Sequence, residues 1–130
     1  MPDRWRTKDL PVEADYPAPD GSEIRLLLSF ARGGVAHCTL PPRAVSRPVS
    51  HHSVEEIWFC LEGRGEVWRC EARDENIVVV QPGRSIDIEQ GIEFQFRNIG
   101  DEPLRFLIAT MPKWPGPSEA QPARGKWQAS

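Results

Sequence analysis

No apolar run in this 130-residue sequence approaches the roughly 20 residues that a bilayer-spanning helix needs, so no membrane partner is expected. No hydrophobic h-region follows Met1-Pro2-Asp3-Arg4-Trp5-Arg6, so no secretory signal is expected and the expected location is the cytoplasm. Positive charge is not in excess either. The 16 Lys and Arg are dispersed among 19 Asp and Glu, the net charge is −3, and no basic stripe is available for a phosphate backbone. Nucleic acid is therefore not an expected partner. Nothing resembles a phosphate-cradling glycine loop or a nucleotide fingerprint.

Cysteine is scarce, with Cys38, Cys60 and Cys70 making an odd count and no CxxC pair, which argues against a structural disulfide. If Gly63-Arg64 is a two-residue hairpin turn, Cys60 faces Val67 and Leu61 faces Glu66. Cys70 then falls opposite Ile57, about 10 Å along the strand from Cys60 and beyond the roughly 7 Å a disulfide tolerates.

Helical periodicity is almost wholly missing, and short β-rich runs take its place. They cover residues 24–30, 35–40, 47–52, 56–61, 65–71, 76–80, 85–89, 92–97 and 104–110. Between them lie Gly33-Gly34, Pro41-Pro42, Gly63-Arg64-Gly65, Pro82-Gly83 and Asn98-Ile99-Gly100-Asp101, each a turn former. Nine strands in under 90 residues predict an all-β sandwich or barrel, with a hairpin meander through the middle of the chain.

The two ends differ from this barrel segment, residues 23–111. Residues 1–22 and 112–130 carry four prolines each and few apolar anchors, so both are expected to be arms. Trp114 and Trp127 are costly to leave in water, so the C-terminal arm is expected to lie back on the barrel.

Two spaced motifs carry the chemistry. The run Ser50-His51-His52-Ser53-Val54-Glu55-Glu56, with Gly63 beyond it, resembles the first cupin motif, H-x-H-x3-E-x6-G. Anchored on Glu56 and Gly63, the second histidine is His52 and Ser50 stands in place of the first. Downstream, Gly83, Gly91 and Asn98 fit the spacing of the second motif, G-x5-P-x-G-x2-H-x3-N, with Glu89 at the proline position and Phe94 at the histidine position. The chain thus resembles the small single-domain bacterial cupins. That resemblance implies a double-stranded β-helix, or jelly-roll barrel, in one domain.

In a cupin the two motifs bring inward side chains to one end of the barrel. The family's four-ligand centre implies three histidines and a glutamate holding a first-row divalent metal such as Zn, Mn, Fe or Ni. Here only His52 and Glu56 remain of that set. Rescue would need another donor: His51 alternates to the opposite face, Glu93 neighbours Phe94 with the same difficulty, and the parity of His37 is not set by sequence. Cys60 is about 13 Å beyond Glu56 on one strand, too far to share an ion.

The expectation is therefore a site without a metal cofactor, in which His52 and Glu56 face a pocket shaped by Ser50, Trp58, Phe94 and Phe96. His52 and Glu56 can meet only if the chain turns near Ser53-Val54, since four residues of straight strand span about 13 Å. Burial and a charged neighbour push the proton affinity of Glu56 in opposite directions, a balance suited to a general base.

Three functions follow as alternatives. One is a binder of a small organic molecule that isomerises, epimerises, cyclises or dehydrates it by proton transfer. Another is a divalent-metal enzyme of dioxygenase or sugar-isomerase type with an unusual ligand set, and the third is a ligand-binding or interaction cupin without catalysis. The bland reading of the same residues is a hydrogen-bonded core pair among core aromatics. The alternate face of the central strand, Ile57, Phe59 and Leu61, is apolar and predicts a homodimer.

Overall fold

A computed structural model describes residues 4–130; Met1–Asp3, the start of the N-terminal arm and of the segment read above for a signal, lie outside the described residues. Eleven strands run β1 (Tyr16–Pro17), β2 (Glu23–Phe30), β3 (Gly33–Leu40), β4 (Val49–His51), β5 (Glu55–Glu62), β6 (Gly65–Glu71), β7 (Asp74–Val80), β8 (Ser85–Ile88), β9 (Glu93–Asn98), β10 (Leu104–Met111) and β11 (Ala120–Pro122). Among the described residues one 3-10 turn, Pro117–Glu119, lies between β10 and β11. All nine runs read from the sequence are strands, and β1 and β11 in the two arms are additions.

Two antiparallel sheets face one another. One has the order β1-β2-β3-β10-β5-β8 and the other β11-β4-β9-β6-β7. This is the jelly-roll arrangement, in which strands distant in sequence become neighbours. Strict alternation explains how each strand serves it: on β5, Glu56, Trp58 and Cys60 are buried while Ile57, Phe59 and Leu61 are 49%, 42% and 38% exposed. The aromatic core between the sheets is built on Trp58, with edge-on contacts to Phe94 and Phe96 at centroid distances of 5.6 and 5.1 Å and a tilted contact to Phe106 at 5.1 Å.

The predicted hairpin at Gly63-Arg64 does not form. β5 pairs with β10 and β8, whereas β6 pairs with β7 and β9, so the chain crosses here from one sheet to the other. Cys60 does not face Val67, nor Leu61 Glu66. The crossing requires its glycines: Gly63 has φ +84°, and a Cβ there would sit 2.5 Å from the Pro103 carbonyl oxygen. A Cβ on Gly65 would meet the Arg97 carbonyl oxygen at the same distance. The middle of the chain is accordingly not a meander, since only β6 and β7 pair as sequence neighbours there. Cys38, Cys60 and Cys70 are all free and buried.

Both ends lie on the barrel. The Arg25 guanidinium donates to the carbonyl oxygens of Pro11 and Val12, each at 3.0 Å, and holds the N-terminal segment along β2. At the other end β11 pairs with β4. Beyond it the buried Gln95 amide oxygen accepts from the backbone N–H groups of Lys126 and Trp127, and the Arg97 guanidinium lies 4.2 Å from the centroid of a Trp127 ring. No described helix is long and apolar enough to cross a membrane.

Candidate functional site

The bend between β4 and β5 sets the site. Val49 and His51 point inward on β4, and Val54 and Glu56 point inward on the far side, so the inward set changes from odd to even numbers across His52-Ser53. The bend is clamped from the C-terminal segment. The buried Glu119 carboxylate accepts from the Ser53 N–H, from the Ser53 hydroxyl at 2.8 and 2.9 Å, and from the Val54 N–H at 2.8 Å. Its backbone oxygen accepts from the His52 N–H at 2.9 Å. Burial raises the Glu119 pKa, but the Ser53 and Val54 hydrogen bonds and nearby His52 outweigh it and leave the carboxyl below its ordinary range.

Counting back from Glu56 at a strand's period of two therefore fails at this bend. His52, expected inside, is exposed, and its backbone oxygen accepts from the Gln90 side chain at 3.0 Å. Ser50 follows it to the outer face, between Gln121 and Glu93 in register. His51, expected outside, is the buried histidine, only 6% exposed. The expected turn exists, but it brings His51 to Glu56 and leaves His52 in solvent.

Glu56 is 7% exposed, and each of its carboxyl oxygens accepts one hydrogen bond. Its Oε1 accepts from Trp58 Nε1 at 3.0 Å and its Oε2 from the Thr110 hydroxyl at 2.6 Å. His51 Nδ1 lies 3.8 Å from Glu56 Oε1, too far for a hydrogen bond, and has no partner among the described residues. Phe94 and Trp114 meet the imidazole edge-on, at centroid distances of 5.0 and 5.4 Å. The indole Nε1 of Trp114 is also buried without a partner.

Burial raises the Glu56 pKa, with the Thr110 and Trp58 hydrogen bonds opposing it. Burial lowers that of His51, with Asp20 and Glu119 opposing it. Burial thus moves the two proton affinities in opposite directions, Glu56 upward and His51 downward, and narrows the ordinary gap between a carboxyl group and an imidazole.

The pair faces an inner chamber of about 60 Å³. Trp58 and Phe94 line it; Phe96 does not, because it packs behind Trp58 against Phe106. An outer chamber of about 220 Å³ shares the walls Tyr16, Leu26, Ala36, Thr110 and Trp114. Tyr16, Asp20, Thr110 and Trp114 are site residues outside both motifs, and only the apolar cost of Trp114 in water marked any of them in the sequence. Cys38 also lines the inner chamber, but burial drives its thiol pKa upward and keeps it a poor nucleophile.

A divalent metal does not fit this donor set. His51 and Glu56 are two donors, both Glu56 oxygens already accept hydrogen bonds, and among the described residues no group of three His, Cys, Asp or Glu is placed to hold an ion. The further donors considered do not arrive. His37 sits on β3 between the inward Ala36 and Cys38 and faces outward, its pKa lowered by burial and by Arg105 and Arg25. Glu93 pairs outside the chamber with Arg124 at 3.4 Å.

Comparison with known proteins agrees with this architecture. The cupin domain profile matches residues 36–110. The uncharacterized protein MJ1618 of Methanocaldococcus jannaschii is 30% identical over 104 residues, covering 76% of this chain and 80% of its own length. Among solved structures, a Klebsiella pneumoniae protein with a double-stranded β-helix domain aligns with TM-score 0.66 and 16% identity, over 80% of this chain and 85% of that one. The capsular polysaccharide assembling protein CapF of Staphylococcus aureus aligns with TM-score 0.71 and 16% identity over 88% of this chain, which spans 34% of that longer protein. At such identities the structural likenesses speak to fold alone. Profile, relative and barrel together establish that this chain belongs to the cupin family.

Proposed function

We propose that the barrel binds a small organic molecule in its two-part chamber and that His51 and Glu56 serve as a metal-independent acid/base pair, supporting isomerase- or lyase-type proton transfer. The observation that carries this is the orphaned His51 Nδ1, buried at the chamber wall 3.8 Å from a carboxyl group whose own hydrogen bonds are already made. A buried polar atom without a partner costs stability, and a ligand that supplies the partner recovers it. Two residues that carry such atoms, His51 and Trp114, line the same space.

Within this reading each side chain has a task. Glu56, held by Trp58 and Thr110, takes or gives the proton, and His51 stands beside it on the same wall as the second acid/base group. Trp58, Phe94 and Trp114 exclude water and grip the apolar body. The test is hydrogen–deuterium exchange at carbon in a panel of small carbonyl compounds incubated in D₂O. Wild-type protein is expected to accelerate exchange for a compound that binds, and Glu56→Gln and His51→Gln each to lower the rate by about 10²-fold or more. Binding without exchange would assign a non-catalytic role, and stoichiometric metal lost in both His51→Ala and Glu56→Ala would overturn the metal-free reading.

A further inference from the structure

We propose that the inner chamber selects a small organic ammonium, a protonated amine on an apolar body, with Asp20 as its counter-charge beside the acid/base pair. This inference rests on the ligand-binding reading of the same chamber and adds the charge class of the ligand. The wall of the inner chamber carries two carboxyl groups, Asp20 and Glu56, and no Lys or Arg. Neither carboxyl group has a Lys or Arg ion-pair partner among the described residues; Glu56 has only the distant His51. Asp20 is held in place by its Oδ1, which accepts from the Ser22 N–H at 2.9 Å and the Ser22 hydroxyl at 2.6 Å, while its Oδ2 accepts no hydrogen bond among the described residues.

Charge decides which ligand completes such a site. An anion would meet two acids and no counter-charge on this wall, and a neutral body would give neither acid a charged partner. A cation compensates both. The indoles of Trp58 and Trp114 and the rings of Phe94 and Tyr16, all on the chamber wall, add aromatic faces that attract an ammonium. The second, independent sign that a ligand belongs here is His51 on the same wall, 6% exposed, whose Nδ1 has no hydrogen-bond partner among the described residues. Burial raises the pKa of Asp20 as well as that of Glu56, and a positive neighbour would favour the charged form of each. An ammonium would favour ionised Glu56, the form that acts as a base.

Three probes of one shape and three charges test the inference on the full chain: cyclopentylammonium, cyclopentanol and cyclopentanecarboxylate, titrated calorimetrically at pH 7.5 and low salt. The ammonium is expected to bind about tenfold or more tightly than the alcohol, with the carboxylate weakest, as befits a charge-assisted contact. Asp20→Asn is expected to narrow the ammonium-to-alcohol ratio about fivefold. Equal binding of the alcohol, tighter binding of the carboxylate, binding of none of the three, or an unchanged ratio in Asp20→Asn would each overturn it. Should Asp20→Asn fail to fold, the wild-type series decides alone. Deuterium exchange that persists while the charge preference is absent sinks the ammonium and spares the acid/base pair; ammonium binding without exchange does the reverse.

Discussion

Two neighbouring histidines meet opposite fates in the fold. His51 and His52 are chemically identical, yet one is buried against Phe94 and Trp114 and the other is in solvent. His52→Ala is therefore expected to leave ligand binding and deuterium exchange within about twofold of wild type, whereas His51→Ala abolishes exchange; the reverse result would return the site to the His52 expected from motif spacing. Glu56 gives a second expectation, with a definite sign. Its folded pKa is raised, so the folded state pays an increasing penalty as pH rises above the ordinary glutamate value of about 4.3. Glu56→Gln keeps an acceptor for Trp58 and gains a donor for Thr110, and it should melt higher than wild type at pH 8. The advantage should shrink as pH falls toward 4, and a Glu56→Gln protein that is equally destabilised at both pH values would contradict the assignment. Phe96, by contrast, is core: Phe96→Ala should cost about 3–5 kcal/mol of stability in chemical denaturation, the usual cost of truncating a buried phenylalanine.

Among the elements, the bend between β4 and β5 matters most, and it is fastened by the C-terminal segment. The Glu119 carboxylate caps the Ser53 and Val54 N–H groups, and Trp114 closes on the ring that the bend presents. Glu119 sits below its ordinary pKa, so its stabilisation is present above the unfolded value near 4.3 and lost as pH falls through the folded one. Glu119→Gln should cost about 1–2 kcal/mol at pH 7, with the gap to wild type closing toward pH 3, and should expose the His51 ring to solvent. An unchanged His51 environment would mean that the bend holds itself. This element also marks where the sequence stops being legible. The strands could be read because alternating apolar residues and turn formers are local signals. The inward histidine could not, because a two-residue bend shifts the parity on which the count from Glu56 depends. The Gly63-Arg64-Gly65 crossing suits a hairpin equally well by composition, and only the packing of Gly63 against Pro103 and of Gly65 against Arg97 distinguishes the two. Tyr16, Asp20 and Trp114 reach the chamber through long-range contacts that no motif records.

For the whole molecule, the barrel is finished by its arms. β1 and β11 extend the two sheets, and the residues they bring close the chamber. The outer face of the β1-β2-β3-β10-β5-β8 sheet retains an apolar band of Ile57, Phe59, Leu61, Leu107 and Val35, all at least 36% exposed, in which Phe59 lies opposite Leu107, Ile57 and Val35 flank Ala109, and Leu61 falls at a register shift between β5 and β10. We propose that two copies meet through this band; light scattering should give twice the chain mass, and Phe59→Glu should give a monomer. The central claim concerns the chamber itself, that His51 and Glu56 form one buried acid/base unit. Its most direct measurement is an NMR pH titration of the histidine ring nitrogens in wild type and Glu56→Gln. His51 is expected to stay neutral below the ordinary histidine value of about 6.5, and its ring signals to report a second titration, from Glu56, lying above 4.3 and missing in Glu56→Gln. A His51 that titrates at or above 6.5, or whose signals do not change in Glu56→Gln, would contradict it.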